Sequence, residues 1–207
     1  ELTYGKIYES NSTMLLSILK SMNYERVSIY KVQDDYITTK KALKEIIQQH
    51  DLVLVSGGIS VGDYDFVGKA LTELNVEQVF YKVNQKPGKP LYFGKKNSSY
   101  VFALPGNPAS ALTCFYVYVI AALRKLSGNI EYRLMTTSAT SSFDFVKKGS
   151  RAQFFKAFVN NGQVEILEGQ SSAMLHTFAL ANALVYVPGD KMSISKGEWV
   201  EVIPIPN

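Results

Sequence analysis

Three stretches of the chain set glycine beside carboxylate, lysine or amide and hydroxyl residues in patterns that can handle phosphate. The first is Ser56-Gly57-Gly58-Ile59-Ser60-Val61-Gly62-Asp63-Tyr64-Asp65, directly after the apolar run Leu52-Val53-Leu54-Val55. Gly57, Gly58 and Gly62 let the backbone approach a ligand and turn N–H groups toward phosphate oxygens, and Ser56 and Ser60 add hydroxyls. The spacing is neither a P-loop nor a dinucleotide fingerprint, and a tight turn with a capping aspartate would use the same residues. The second stretch, KVNQKPGKP, sets Lys82, Lys86 and Lys89 around Pro87-Gly88 in a loop stiffened by proline. The third, LPGNPAS, turns into a helix and leaves Asn107 and Ser110 near its N-terminus, where anions are favoured. Asp34-Asp35 reads either as a helix cap or as part of the same site. Carboxylates beside a phosphate loop repel the phosphate unless a cation lies between them. Asp34 together with Asp63 or Asp65 could hold a hard cation such as Mg²⁺, with the glycine amides and lysines holding the phosphate. Spacing does not choose between Asp63 and Asp65.

Strands and helices must bring these loops to one edge. The stretch SNSTMLLSILKSMNY has cap residues followed by Met14, Leu15, Ile18, Leu19 and Met22 at helical spacing. RVSIYKV (26–32) alternates and predicts a strand, and YITTKKALKEIIQQH returns to helical spacing. DLVLVS is continuously apolar, the pattern of a strand covered on both faces. DFVGKALTEL reads as helix, then VEQVFYKV, LYFG and YVFALPG as strands, and ASALTCFYVYVIAALRKLSG as a long helix ended by Gly128. This alternation predicts an α/β unit over residues 1–130, with a mostly parallel sheet, flanking helices and loops gathered at the strands' carboxyl ends. Residues 131–207 change character. RLMTTSAT, QFFKAFVNN, GQVEILEG, ANALVYVPG and EWVEVIPI are short strand patterns between Asn-Gly, Pro-Gly and Lys-Gly turns, and predict a small all-β, barrel-like domain.

The bulk composition narrows the function. The chain has 207 residues, 46% hydrophobic, with a net charge of +4. That charge suits a small anion and is too weak to imply nucleic acid. The single cysteine, Cys114, excludes an internal disulfide and lies in the apolar helix, so it is expected to be buried and inert. The most apolar helical stretch, Ala109–Leu123, is short and carries Ser110 and Thr113, as expected of a core helix rather than a membrane span. The expected location is cytoplasmic. The chain opens at Glu1 without methionine, as expected of a fragment or processed product. His50 and His176 are far apart and expected to be structural.

The motifs together resemble the molybdopterin molybdenumtransferases, the family of MoeA and the gephyrin E domain. The matching residues are GKIYESN (5–11), DD (34–35), SGGISVGDYD (56–65), KPGKP (86–90), LPGNPAS (104–110), GQSSAML (169–175) and KGEWVEV (196–202). The resemblance implies a molybdopterin-binding domain followed by a β-barrel, with two upstream domains absent. It implies insertion of molybdate into adenylylated molybdopterin with Mg²⁺ and release of AMP, in a homodimer that works with a transfer partner such as the adenylyltransferase. By position it selects Asp65 and Asp34 as acidic, metal-holding site residues, Lys82 and Lys86 as basic ones, and Pro105, Pro108, Arg151 and Ser172 as further site positions. Gly57, Gly58, Ser60, Gly62, Lys89, Asn107 and Ser110 complete the expected substrate site. The family's upstream acidic motif, which carries a further site glutamate, is either missing or survives only as Glu1-Leu2. Ser171 replaces the glycine usual before the small-domain serine. The alternatives are the related molybdopterin adenylyltransferase and a gephyrin-like binding scaffold. The β unit and the LPGNPAS and KPGKP pair favour the transferase over the first. The retained Asp34, Asp65, Lys82 and Lys86 weigh against the second.

Overall fold

The computed structural model describes residues 10–59 and 66–206. Ser60, Gly62, Asp65 and Glu1 therefore lie outside the described residues. In chain order come α1 (Asn11–Ser21), α2 (Tyr36–Gln49), β1 (Leu52–Ser56), α3 (Phe66–Glu73), β2 (Glu77–Tyr81), β3 (Gln85–Lys86), β4 (Tyr92–Lys96) and β5 (Ser99–Leu104). A single long helix follows, α4 (Pro108–Leu126), whose middle residues Phe115–Val119 are π-wound. The β unit then contains β6 (Thr137–Ser141), β7 (Phe145–Val146), β8 (Ala152–Asn160), β9 (Gln163–Ile166), β10 (Ala183–Val187), β11 (Ser193–Ile194) and β12 (Trp199–Pro204). A 3₁₀ turn, His176–Ala179, precedes β10.

The first sheet has the order β1-β5-β4-β2 and is mixed, which corrects the expectation of a mostly parallel one. Only β1 and β5 run parallel; β4 pairs antiparallel with both β5 and β2. The cause is local. Two residues, Asn97 and Ser98, separate β4 from β5, and Asn97 has φ 53°. A two-residue link closes only a hairpin, whereas a parallel pair needs a crossover of a dozen or more residues. The strand expected at 26–32 is also not formed. Val27 packs on the core, but Ile29, Tyr30 and Val32 are exposed, and no neighbouring strand pairs with the segment among the described residues. Alternation supplies a strand's faces but not its partner.

The β unit closes into a barrel through β10-β12-β6-β9-β8 and back to β10. Period-2 alternation lets its strands serve two cores. Phe155, Val185 and Val202 face the barrel interior, while their neighbours Phe154, Leu184 and Ile203 join a second cluster with Phe115, Val119 and Leu123 of α4. α4 is long and apolar enough to cross a membrane by length and composition, yet most of it is buried inside the fold. It is the shared core helix between sheet and barrel.

Candidate active site at the seam between the two units

Parallel pairing of β1 with β5 sets Ser56 opposite Leu104, so the loops that follow the two strands leave the sheet side by side. One begins with Gly57 and Gly58, at φ +85° and +65°; the other is Pro105-Gly106-Asn107. Asn11, at the start of α1, ties them together. Its Nδ2 donates to Ser56 Oγ (2.7 Å) and to the Gly106 carbonyl (2.9 Å). Asn11 is 5% exposed, and its Oδ1 is buried without a hydrogen-bond partner among the described residues. Pro105 is buried, and Pro108 opens α4 at a position that tolerates proline.

Asn107 is the N-cap residue of α4 but does not use its side chain as a cap. Instead its Nδ2 donates to Ser172 Oγ on the β unit (3.2 Å). Ser110 is 4% exposed in the first turn of α4, against the Gly88 loop, so it lines the seam from inside.

The lysine loop crosses the same seam. Lys82 N–H donates to Leu91 O (2.9 Å) and Val83 N–H to Lys89 O (3.0 Å), closing 82–91 on itself. Lys82, Lys86 and Lys89 are all exposed on it. Lys82 has φ +63°, and its Nζ lies 4.8 Å from the Tyr81 ring centroid. Between them, β3 leaves the first unit and pairs parallel with β8 of the barrel, Gln85 opposite Ala152 and Lys86 opposite Gln153. The Arg151 guanidinium donates to the Gln85 carbonyl at 3.1 Å. Lys86 and Arg151 are therefore brought to one place by strand pairing although 65 positions separate them in the chain.

Gln85 is the hub of this arrangement. It is 3% exposed, accepts from Tyr118 Oη with its Oε1, and donates from Nε2 to Pro87 O (3.0 Å). Its Nε2 also lies 3.8 Å from Cys114 Sγ. The π-winding of α4 falls on the segment that carries Tyr118. Burial pushes both the Cys114 thiol and the Tyr118 phenol up to about 12. Neither ionises at neutral pH, and Cys114 is the inert core thiol expected of it.

Asp34 is exposed just before α2, and no contact among the described residues joins it to the seam. Its neighbour Asp35 caps α2, accepting from Thr38 N–H at 2.9 Å, and that bond holds the carboxyl below its ordinary range. Asp34 accepts no hydrogen bond among the described residues, and those residues contain no cluster of three His, Cys, Asp or Glu.

Two family profiles cover most of the chain: "Probable molybdopterin binding domain" matches residues 1–125, and "MoeA C-terminal region (domain IV)" matches 138–205. The chain belongs to the MoeA family. It is 34% identical over 210 residues to the molybdenum cofactor synthesis protein cinnamon of Drosophila melanogaster, covering 99% of this chain and 35% of that protein. It is 31% identical over 204 residues to a molybdopterin molybdenumtransferase of Staphylococcus aureus, covering 96% of this chain and 48% of that one. Among solved structures it resembles a molybdopterin biosynthesis MoeA protein from Pyrococcus horikoshii, with TM-score 0.81 and 26% identity over all of this chain and 50% of that one. The chain thus spans about half the length of these bacterial and archaeal MoeA relatives. In this MoeA-family chain, Asn11 and Gln85 are the seam residues that motif reading passed over. Asn11 lies within the quoted GKIYESN motif but reads as a helix cap, and nothing in the KVNQKPGKP pattern shows that Gln85 will be buried.

Proposed function

We propose that this protein acts in molybdenum cofactor synthesis by inserting molybdate into adenylylated molybdopterin, with release of AMP. The observation that carries this reading is the pairing of β3 with β8, which joins Lys86 and Arg151 across the seam beside the paired loops of β1 and β5. Cations on two elements can clamp a tetrahedral oxyanion, Arg151 by directional donors and Lys86 as a point charge. Gly57 and Gly58 at the end of β1, with the N-terminus of α4, offer backbone N–H groups to the phosphates of the nucleotide part. Lys82 and Lys89 raise the local positive potential, Ser110 and Pro105 shape the wall, and Asn107 with Ser172 closes the seam on the barrel side. Molybdate would bind at the dithiolene, the two thiols giving their protons to one oxo oxygen that leaves as water, while at the other end of the substrate water cleaves the phosphoanhydride, so that AMP leaves and the terminal phosphate stays on the pterin.

Asp34, free of the cap that occupies Asp35, is a carboxylate suited to Mg²⁺, and Asp65 is proposed as its second ligand. The ion would screen the pyrophosphate and ease departure of AMP. The same reading takes the protein as a cytoplasmic homodimer that receives its substrate from an adenylyltransferase. The barrel's match to the MoeA C-terminal region favours the transferase over the adenylyltransferase itself.

The test is AMP release from adenylylated molybdopterin with Mg²⁺, with and without molybdate. Molybdate-stimulated release supports the reading, and Asp65→Ala is expected to abolish it while leaving the unfolding transition unchanged. Formation of adenylylated molybdopterin from ATP, without molybdate-dependent release, would replace it with the adenylyltransferase. Neither activity would leave a binding scaffold.

A further inference from the structure

The barrel buries two lysines, neither with a carboxylate in ion-pair range among the described residues. Lys147 is 1% exposed and donates to the carbonyl oxygens of Gly149 (3.0 Å), Arg151 (2.9 Å) and Gly189 (2.9 Å). Lys156 is 4% exposed and donates to those of Gly169 (2.7 Å), Ser171 (3.4 Å) and Met174 (3.0 Å). An ammonium has three N–H donors, and each of these spends all three on backbone. Burying a charge is costly unless it is fully hydrogen-bonded, and a lone hydrophobic side chain would fill the space without that cost.

The carbonyls chosen supply the reason. Gly149–Arg151 is the turn that delivers the Arg151 guanidinium to Gln85, and Gly169–Met174 is the loop that delivers Ser172 to Asn107. Neither loop belongs to a strand or helix, apart from the Arg151 end that abuts β8, so no ladder holds their shape. Around each lysine the packing is close. A Cβ on Gly189 would lie 2.8 Å from Ser150 O, and one on Gly169 would lie 2.7 Å from Thr177 Oγ1. Gln170 further ties its loop to the Lys156 backbone, accepting from Lys156 N–H at 3.0 Å and donating to Lys156 O at 2.8 Å.

We propose that Lys147 and Lys156 are positioning residues acting through backbone carbonyls: Lys147 holds the turn that presents Arg151 to the oxyanion, and Lys156 holds the loop whose Ser172 closes the seam around it. The proposal rests on the reading of the seam as an oxyanion site. Lys147 acts through Arg151, and Lys156 through Ser172.

Lys147→Met and Lys156→Met remove the ammonium and keep the stem. In ligand-free protein, amide hydrogen exchange is expected to quicken at 148–151 in the first and at 169–174 in the second, with β10 and β12 unchanged. Unchanged exchange in those loops overturns the proposal. Molybdate affinity should fall roughly tenfold or more in each, the scale of a lost charged hydrogen bond. It should fall no further when Lys147→Met is added to Arg151→Ala, or Lys156→Met to Ser172→Ala. Additive losses overturn the proposal, because they show each lysine acting independently of its loop residue. Val164→Ala, a truncation in the barrel core, is the control and should bind molybdate like the wild type; an equal loss there would mean general loosening and would also overturn it. If a Met variant does not fold, Lys147→Gln and Lys156→Gln, which keep an N–H donor, are measured in the same way. If the wild type binds no molybdate, the reading of the seam fails, and the exchange measurement still decides whether the lysines hold the loops.

Discussion

Gly88 has a φ of +91°, and a Cβ there would lie 2.4 Å from Cys114 Sγ and 3.1 Å from Gln85 Nε2. Both the backbone conformation and the close approach require glycine. Gly88→Ala should therefore destabilise the protein by about 1–3 kcal/mol and weaken anion binding, because the shift passes through Gln85 into β3. Denaturant unfolding and a molybdate titration measure the two effects; a variant of unchanged stability would mean that the loop does not pack as described. The partner it would displace, Cys114, is fully buried with its thiol pushed up to about 12. A thiol reagent at pH 8 is expected to label nothing in the native protein and one equivalent after denaturation. At this scale the sequence was readable where residue type alone carries the meaning. Cys114 inside an apolar helix is one case, and glycine beside two prolines is another. Gln85 was not readable, because its burial comes from α4 and from pairing with a strand 67 positions further on, and neither leaves a mark on the residue's neighbours.

Among the elements, α2 offers a test of how Asp34 is set. Asp35 accepts from Thr38 N–H, so its folded-state pKa lies below its ordinary value of 3.8. A carboxyl with a depressed pKa contributes stability that is present above the unfolded value and is lost as pH falls through the folded one. Amide exchange in the first turn of α2 should accordingly be slower in the wild type than in Asp35→Ala at pH 5. The two should converge only below pH 3.8, and a difference that persisted at lower pH would mean that the cap does not depend on ionisation. The misread elements share one cause. The hydrophobic pattern identified β1, α3, α4 and the barrel strands, since a pattern reports which faces are covered. Strand direction in the first sheet depended instead on the two-residue Asn97-Ser98 link, and the fate of 26–32 depended on whether a neighbour offered an edge. Pairing is a property of two segments, and alternation within one does not reveal it.

For the whole molecule, the sequence suggested two successive units, yet they are joined through a common core. Phe154, Leu184 and Ile203 of the barrel pack in one cluster with α4, and β3 is a strand of the barrel's sheet supplied by the first unit. The loops expected to carry the site were each identified by their glycines, prolines and lysines. Their assembly depends on the seam, which Arg151–Gln85 and Asn107–Ser172 cross by hydrogen bonds. If one anion is held by both units, Lys86 and Arg151 should act on it together. The most direct measurement is a calorimetric titration of molybdate into the wild type, Lys86→Ala, Arg151→Ala and the double variant. Each single substitution should weaken binding roughly tenfold or more, and the double should lose less than the sum of the two. Wild-type affinity in both single variants would contradict an oxyanion site at the seam.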